Sequence, residues 1–290
     1  METRWLHVTS EEFETLRKEA KETCIIPMGC MEKHGLHLPL GTDILQASYI
    51  TYMASQMETV CVFPDFTFGD IAENTPTSPP GNVMMPVELE MQLLEHLCEQ
   101  ISRNGFKKIM IYNGHGGNVS WLSTFLRKMA NKKRDYVVVN VNIKCDVMGR
   151  LARTLKDKGT GYFSELTEED ENLILERGET KLKDGHCGYT ETSYVFGAYP
   201  ECVHMEKLGL ISGKSRNLTG AFKGAGIQIR DHGWGVNFPN WMDSDDPVGC
   251  NERIGKAALQ IEAERLAYAI KVMKEDKHLL KWNQEMWEEK

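Results

Sequence analysis

Apolar residues along this chain fall into two kinds of pattern, which alternate. Short runs that are continuously apolar and rich in β-branched residues end at Gly, Pro, Asp or Asn, a pattern typical of strands buried on both faces. These predicted strands span residues 24–28, 60–63, 108–112 and 136–143. Longer segments carry apolar residues at three- and four-residue intervals, which predicts amphipathic helices. These predicted helices span residues 11–21, 44–57, 87–104, 120–132 and 251–274.

The alternation of strands with helices of this length predicts an α/β fold, with a mostly parallel β-sheet flanked by helices on both faces. Residues 146–185 are rich in charge and glycine and have weak periodicity, which indicates a helix plus a surface excursion. Residues 213–246 are rich in Gly, Asn and Asp and are predicted to be mostly loop. Because no linker interrupts the 290 residues, we expect a single domain over residues 1–290.

Composition and charge narrow the classes of partner. Hydrophobic residues make up 41% and charged residues 26%, the balance of an ordinary globular protein. The net charge is −8 with Lys and Arg dispersed, which argues against a nucleic-acid surface. The first residues lack the apolar region of a secretory leader, and no apolar stretch is long enough to cross a bilayer. The 8 cysteines form no C-x-x-C pair, so we expect reduced thiols in a cytoplasmic protein without a membrane partner.

Possible metal ligands are concentrated after the first predicted strand. Glu32, His34 and His37 lie close together, and in extended chain Glu32 and His34 would project to the same side. Thr42 or Asp43 is predicted to cap the next helix. Carboxylate and imidazole groups at this density suit a divalent ion such as zinc or manganese. The alternative is that Asp43 is only a cap and that the histidines are loop residues.

A second segment, Tyr-Asn-Gly-His-Gly-Gly-Asn at residues 112–118, lies between a predicted strand and a predicted helix. In parallel sheets such turns gather at the carboxyl edge, where ligands bind. Three glycines allow close approach of the backbone, and His115 stands among them, which indicates a functional histidine. A phosphate-binding loop is the rival interpretation, but neither G-x-G-x-x-G nor the lysine of a P-loop is present.

A third segment, residues 185–193, has glycines on either side of His186 and Cys187, and Glu191 follows near the start of an apolar run. As in the second segment, a histidine is flanked by glycine. Taken alone it is a weak signal, because an acidic residue in the first turn of a helix is also favoured by the helix dipole.

Together the three segments resemble the creatinine amidohydrolase (creatininase) family. Its members show E-x-H-G-x-H-L-P followed by T-D, then N-G-H-G-G-N, then H-x-G-x-x-E-T-S, and all three motifs occur here in that order. The resemblance covers residues 3–200 well and the C-terminal third loosely. It implies a single creatininase-like α/β domain, assembly as a homo-oligomer (a hexamer), and a site for two divalent metal ions, zinc, manganese or both, with iron as a further candidate.

The resemblance also implies roles for particular residues. Glu32, His34, Asp43 and His115 match the family's metal ligands, with Asp43 as the bridging carboxylate. His186 matches the residue that acts in proton transfer.

This sequence departs from the creatinine-hydrolysing members at several positions. Those members have a further glutamate ligand where this chain has Gly117, and Glu191 is expected to supply the missing carboxylate. Their substrate-enclosing tryptophans correspond to Cys145 and Leu182, neither of which is aromatic. The expected substrates therefore widen to cyclic amides, formamides and small peptides.

The expected function is hydrolysis of a non-standard amide bond in a small molecule by a metal-activated water. One alternative is a cysteine nucleophile, since Cys30 and Cys187 lie in the two histidine-bearing loops. The neighbouring Cys187 and His186 argue against it, because adjacent side chains seldom point at each other. The other alternative is a catalytically inactive metal-binding or sensor protein on the same scaffold, suggested by the lost aromatic residues.

Overall fold

A computed structural model describes residues 1–71, 78–180, 183–229 and 232–288. Within these residues a parallel sheet has the strand order β2-β1-β3-β4. The strands are β1 Thr23–Met28, β2 Cys61–Val62, β3 Lys108–Asn113 and β4 Val137–Asn142. All four predicted strands are therefore confirmed, and so is the parallel sheet.

Helices occupy most of the remaining described chain. They are α1 Ser10–Glu19, α2 Thr42–Met57, α3 Val87–Arg103, α4 Asn118–Ala130, α5 Val147–Lys158, α6 Glu168–Glu179, α7 Tyr189–Ala198, α8 Gly220–Gly224, α9 His232–Asn237, α10 Glu252–Glu275 and α11 Leu279–Glu285. The five predicted helices are confirmed with small shifts at their ends. The prediction of one helix plus an excursion for residues 146–185 was wrong, because α5 and α6 both form there. No described helix has the combined length and apolar character needed to cross a bilayer.

The two faces of the sheet carry separate cores. Ile25, Met110 and Tyr112 point to one face, where they pack with residues of α2, α5, α7 and α10. Their neighbours Ile26 and Ile111 point to the other face and pack with residues of α1, α3 and α4. This alternation follows from the two-residue period of a strand. It confirms a single-domain α/β fold with helices on both faces.

Strand burial differs between the two central strands and β4. Strands β1 and β3 are buried along their whole length, as predicted. The prediction that β4 is equally buried was wrong, because only Val137 of this strand is buried. β4 lies at one edge of the sheet, but edge position alone does not account for its exposure, because both residues of β2 at the opposite edge are buried.

A buried ion network joins α10 to the sheet and to α5. Glu262 accepts a hydrogen bond from the Tyr112 hydroxyl at 2.8 Å, and the Arg150 guanidinium lies 2.7 Å from it. Arg265 donates to the same carboxylate from Nε at 3.1 Å. Arg150 also donates to the hydroxyl of Tyr194 at 2.9 Å. The network therefore fixes α7, which carries Tyr194, against the sheet.

The sheet order also defines where a ligand can approach. From β1 the chain passes to β2 on one side, while β3 lies on the other side. Such a reversal of strand order opens a crevice at the carboxyl ends of the two central strands. The loops that follow β1 and β3 begin at this crevice, and they hold the first two of the three predicted segments.

Candidate metal centre and active-site cavity

The loop after β1 lies tightly over the start of α2. A Cβ at Gly29 would lie 2.4 Å from the Ile44 nitrogen, so only glycine allows this approach. The N-cap of α2 is Gly41, which contradicts the predicted capping by Thr42 or Asp43. The Asp43 side chain, 1% exposed, points into the site instead.

His34 is held by one ring nitrogen and presents the other. Its Nδ1 donates to the Glu32 carbonyl at 2.9 Å. Its Nε2 is buried without a hydrogen-bond partner, 3.4 Å from Asp43 Oδ1 and 3.6 Å from Glu191 Oε2. A histidine fixed through one nitrogen and facing carboxylates with the other has the arrangement of a metal ligand with its supporting hydrogen bond.

His115 is oriented in the same manner by the loop after β3. Its Nε2 donates to the Asp70 carbonyl at 2.9 Å. Its Nδ1 lies 2.7 Å from Asp43 Oδ2 and 3.4 Å from Glu32 Oε2. Asn113 donates to the His115 carbonyl at 2.8 Å and so sets the shape of the loop. Asp70 could not be predicted from the sequence, because its role lies in a backbone carbonyl that no motif marks.

Gly117 follows in this loop and leaves no room for a side chain. A Cβ there would lie 2.0 Å from the Asp70 carbonyl oxygen and 2.6 Å from His115 Nε2. A glutamate at this position would therefore require the segment around Asp70 to move. Glu191 lies in the first turn of α7, and its carboxylate Oε2 is 3.6 Å from His34 Nε2.

The third segment adds His186 and fixes Glu191. The Cys187 amide donates to Glu191 Oε2 at 2.6 Å, which directs this carboxylate toward the cluster. The ring of His186 stacks on that of His34 with centroids 4.0 Å apart. Its Nε2 donates to the Lys33 carbonyl at 2.8 Å, which leaves Nδ1 as the unengaged ring nitrogen.

Burial and mutual charge shift the titration of these groups in opposite directions. Burial alone would lower the pKa of His34 and of His115, but Asp43 and other nearby carboxylates raise each to about 10. Burial raises the pKa of Glu191 to about 7, with His34 opposing the shift. Burial, with the charge of His34, lowers the pKa of His186 well below its ordinary value. The cluster therefore holds several carboxylates close together away from water, and a bound cation would offset their mutual repulsion.

The structure brings all six predicted site residues into one cluster. Possible ligand atoms lie within 4.8 Å of one another in three overlapping groups: Cys30, Glu32, Asp43 and His115; Glu32, His34 and His186; and His34, Asp43 and Glu191. His37 belongs to none of these groups, and its Nε2 instead contacts the Thr192 hydroxyl at 3.0 Å.

The two cysteines near the histidines differ in position. Cys30 lies inside the cluster, with its thiol donating to Asp43 Oδ2 at 3.1 Å, although it was not among the predicted ligands. Its spacing of two residues from Glu32 was a signal that could have found it. Cys187 donates its thiol to the Trp241 carbonyl, and burial raises its pKa well above the ordinary value. This contact and this shift argue against Cys187 as a nucleophile.

A cavity of about 420 Å³ opens beside the cluster. Cys145 lines it, as expected for a position that replaces a family tryptophan, while Leu182 lies outside the described residues. Trp234 supplies an aromatic wall from the largely looped region 213–246. Its ring meets that of His186 edge-on with centroids 5.3 Å apart, and its Nε1 donates to Asp243 at 3.1 Å. Trp234 and Asp243 therefore cover the site from this part of the chain.

Sequence comparisons identify relatives of this chain. The sequence profile of the creatininase family, described as creatinine amidohydrolase, matches residues 6–270. A 2-amino-5-formylamino-6-ribosylaminopyrimidin-4(3H)-one 5'-monophosphate deformylase of Methanocaldococcus infernus is 34% identical over 36% of this chain and 46% of its own length. The mycofactocin precursor peptide peptidase of Mycolicibacterium smegmatis is 30% identical over 38% and 46%. The chain thus spans about half the length of the curated relatives it matches.

Solved structures show the same fold. A Bacteroides fragilis protein assigned as a creatinine amidohydrolase superposes with a TM-score of 0.69 at 20% identity, covering 96% of this chain and 99% of that one. A creatininase variant of the Zn-Zn type gives 0.65 at 15% identity, with coverages of 95% and 100%. A manganese form of creatininase gives 0.63 at 15%, also with 95% and 100%. The profile match extends the resemblance seen up to residue 200 through most of the C-terminal third, and the chain belongs to the creatinine amidohydrolase family of hydrolases.

Proposed function

We propose that this protein is a metal-dependent amidohydrolase that cleaves a non-standard amide bond in a small molecule. The observation that carries the proposal is His34 Nε2, which is buried without a hydrogen-bond partner between Asp43 and Glu191. A buried polar atom without a partner is costly, and a cation shared with the two carboxylates would satisfy it.

The donor set fits two divalent ions. We assign them to the predicted ligands Glu32, His34, Asp43, His115 and Glu191, with Asp43 shared because its two oxygens face different histidines. Carboxylate and imidazole donors suit zinc and manganese, with iron as a further candidate. The Zn-Zn and manganese forms of related creatininases support this choice. When bound, such ions supply an activated water and polarise the amide carbonyl.

We assign proton transfer to His186. Its Nε2–H is held by the Lys33 carbonyl, so Nδ1 is the ring nitrogen left to accept a proton and pass it to the departing amide nitrogen. Stacking on His34 keeps the ring at the edge of the cluster. We assign stabilisation of negative charge on the amide oxygen to the backbone N–H groups of Gly116 and Gly117, which immediately precede α4.

The substrate class follows from the cavity and the relatives. Cyclic amides, formamides and small peptides remain the expected substrates, because Gly117 and Cys145 differ from the creatinine-hydrolysing pattern. The names of the two relatives, a deformylase and a precursor peptide peptidase, support formamides and peptides in particular. We further propose that residues 1–290 form one domain that assembles as a cytoplasmic homo-oligomer, a hexamer by resemblance to the family.

Metal content tests the proposal directly. Replacing His34 or Asp43 with Ala removes a donor that the proposed site needs, so each variant should retain less than one metal ion for every two in the wild type after dialysis. The exposed His204→Ala variant should keep the wild-type content and control for histidine loss. Full occupancy in both site variants, measured by elemental analysis, would sink the metal assignment.

Hydrolysis separates the enzyme from the inactive alternative. Wild-type protein loaded with zinc or manganese should cleave at least one member of a panel of lactams, formamides and short peptides. His186→Ala should lose most of that activity while retaining metal. Bound metal without turnover across the whole panel would instead support a metal-binding or sensor protein on the same scaffold.

A further inference from the structure

We propose that Cys30 is a fourth protein ligand in one of the two metal positions and makes that position selective for zinc. The proposal rests on the proposed metal-dependent function, and it adds a sulfur donor to the predicted oxygen and nitrogen donors.

The distances among four side chains lead to this proposal. Cys30 Sγ lies 3.1 Å from Asp43 Oδ2 and 3.8 Å from Glu32 Oε2. His115 Nδ1 lies 2.7 Å and 3.4 Å from the same two oxygens. Ligands held at zinc–ligand distances of about 2.0–2.3 Å in a tetrahedron are separated by roughly 3.3–3.8 Å. The two separations from Glu32 Oε2 lie in this range. The two from Asp43 Oδ2 are shorter and have to lengthen by roughly half an ångström for a tetrahedral zinc ion to be held by all four atoms.

The surroundings hold Cys30 in this place. Its side chain is fully buried. A Cβ at Gly69 would lie 2.8 Å from the Cys30 Cβ, so the segment at Gly69 closes on this side chain from behind. The thiol donates to Asp43 Oδ2, while the other Asp43 oxygen faces His34 Nε2, the buried nitrogen without a hydrogen-bond partner. Asp43 therefore separates two groups of donors.

The two groups differ in the number of protein donors. Cys30, Glu32, Asp43 and His115 provide four, which is the number that closes a zinc position. His34, Asp43 and Glu191 provide three, which leaves a place for water or substrate. The proposal thus assigns an anchoring role to the Cys30 position and the reacting role to the position beside His34, on which the His186 ring stacks.

Sulfur chemistry gives the metal preference. A thiolate is a soft donor that favours zinc, whereas manganese prefers oxygen. Binding replaces the thiol proton now donated to Asp43, and this proton leaves to solvent as the sulfur–metal bond forms. No change of oxidation state is involved.

Cobalt substitution tests the sulfur bond spectroscopically. Full-length protein loaded with Co²⁺ should show a near-ultraviolet sulfur-to-cobalt charge-transfer band, which Cys30→Ser and Cys30→Ala should abolish. Cys98→Ala removes another buried thiol, in α3, and should keep the band. In competition with a chelator, Cys30→Ala should lower the zinc affinity of the four-donor position by roughly 10–100-fold. The affinity of the same position for manganese should change little.

The outcomes separate this proposal from the function on which it rests. Two cobalt ions per chain without the band in the wild type would show that Cys30 remains a thiol donor to Asp43, which overturns this proposal and leaves the metal-dependent hydrolase standing. Absence of any bound metal would overturn both. The wild-type spectrum decides the question even where a Cys30 variant fails to fold.

Discussion

The candidate site is built from two regions that are positioned in different ways. The first, which we call the strand-edge loops, comprises residues 29–43 and 113–118 and begins where β1 and β3 end. The second, the covering region, comprises residues 184–191 and 234–243. The strand-edge loops are set by tight glycine contacts and by the register of adjacent strands.

The covering region depends instead on contacts between distant parts of the chain. The Gly35 amide donates to the Trp241 carbonyl at 2.9 Å, and the Asp243 amide donates to the His186 carbonyl at 3.0 Å. Helix α7, which carries Glu191, rests on α10 through the Glu262 network. Four predicted ligands, Glu32, His34, Asp43 and His115, are therefore placed by the loops at the sheet edge. Glu191 and His186 are placed by packing between distant segments and can be perturbed separately.

The largest effect is expected from Glu262→Ala. The substitution leaves Arg150 and Arg265 without their buried partner, which should destabilise the protein by about 3–5 kcal/mol. The covering region should loosen first, because α7 is tied to this network through Tyr194. Urea unfolding and hydrogen exchange of α7 measure the two effects. The exposed Glu264→Ala on the same helix should stay within about 0.5 kcal/mol of the wild type, and an equal loss there would contradict the assignment.

A smaller effect, on the strand-edge loops, is expected from Gly117→Ala. The new Cβ would overlap the Asp70 carbonyl and His115, which should cost about 1–3 kcal/mol and weaken metal binding. The backbone at Gly117 is already helical, so Ala adds no conformational strain. Gly116→Ala is the matched control, because a Cβ there meets nothing within 4 Å. Thermal unfolding and metal titration should separate the two variants; indistinguishable behaviour would show that the loop is not tightly packed.

The smallest effect concerns the contact between α3 and α4. A hydrogen bond from Lys128 lowers the pKa of Glu95 from 4.5 to about 2, so α3 and α4 are held together best when Glu95 is ionised. This stabilisation is complete above pH 4.5 and is lost as the pH falls toward 2. Because ion pairs between partly exposed side chains contribute little to stability, the expected loss of unfolding free energy is under about 1 kcal/mol. The unfolding free energy of Glu95→Gln should fall less steeply with decreasing pH than that of the wild type. If the two pH curves are parallel, Glu95 does not contribute to the loss of stability in acid.

Particular residues show how far the sequence reaches. Continuous apolar runs predicted β1 and β3, because burial on both faces is visible in the run itself. The same reasoning overestimated the burial of β4, since the elements that pack against a strand are not encoded in its own periodicity. The ordered motifs located every member of the candidate cluster except Cys30, which lies two residues before the first letter of the first motif.

The sequence by itself determined the α/β alternation, the family and the six residues expected at the site, because backbone periodicity and ligand chemistry are written within short segments. Only the tertiary structure decided that Lys33 meets His186 across 153 residues, that Trp234 covers the cavity, and that Gly117 leaves no room for a side chain. These features depend on how distant segments pack against one another, and no local pattern in the chain carries that information.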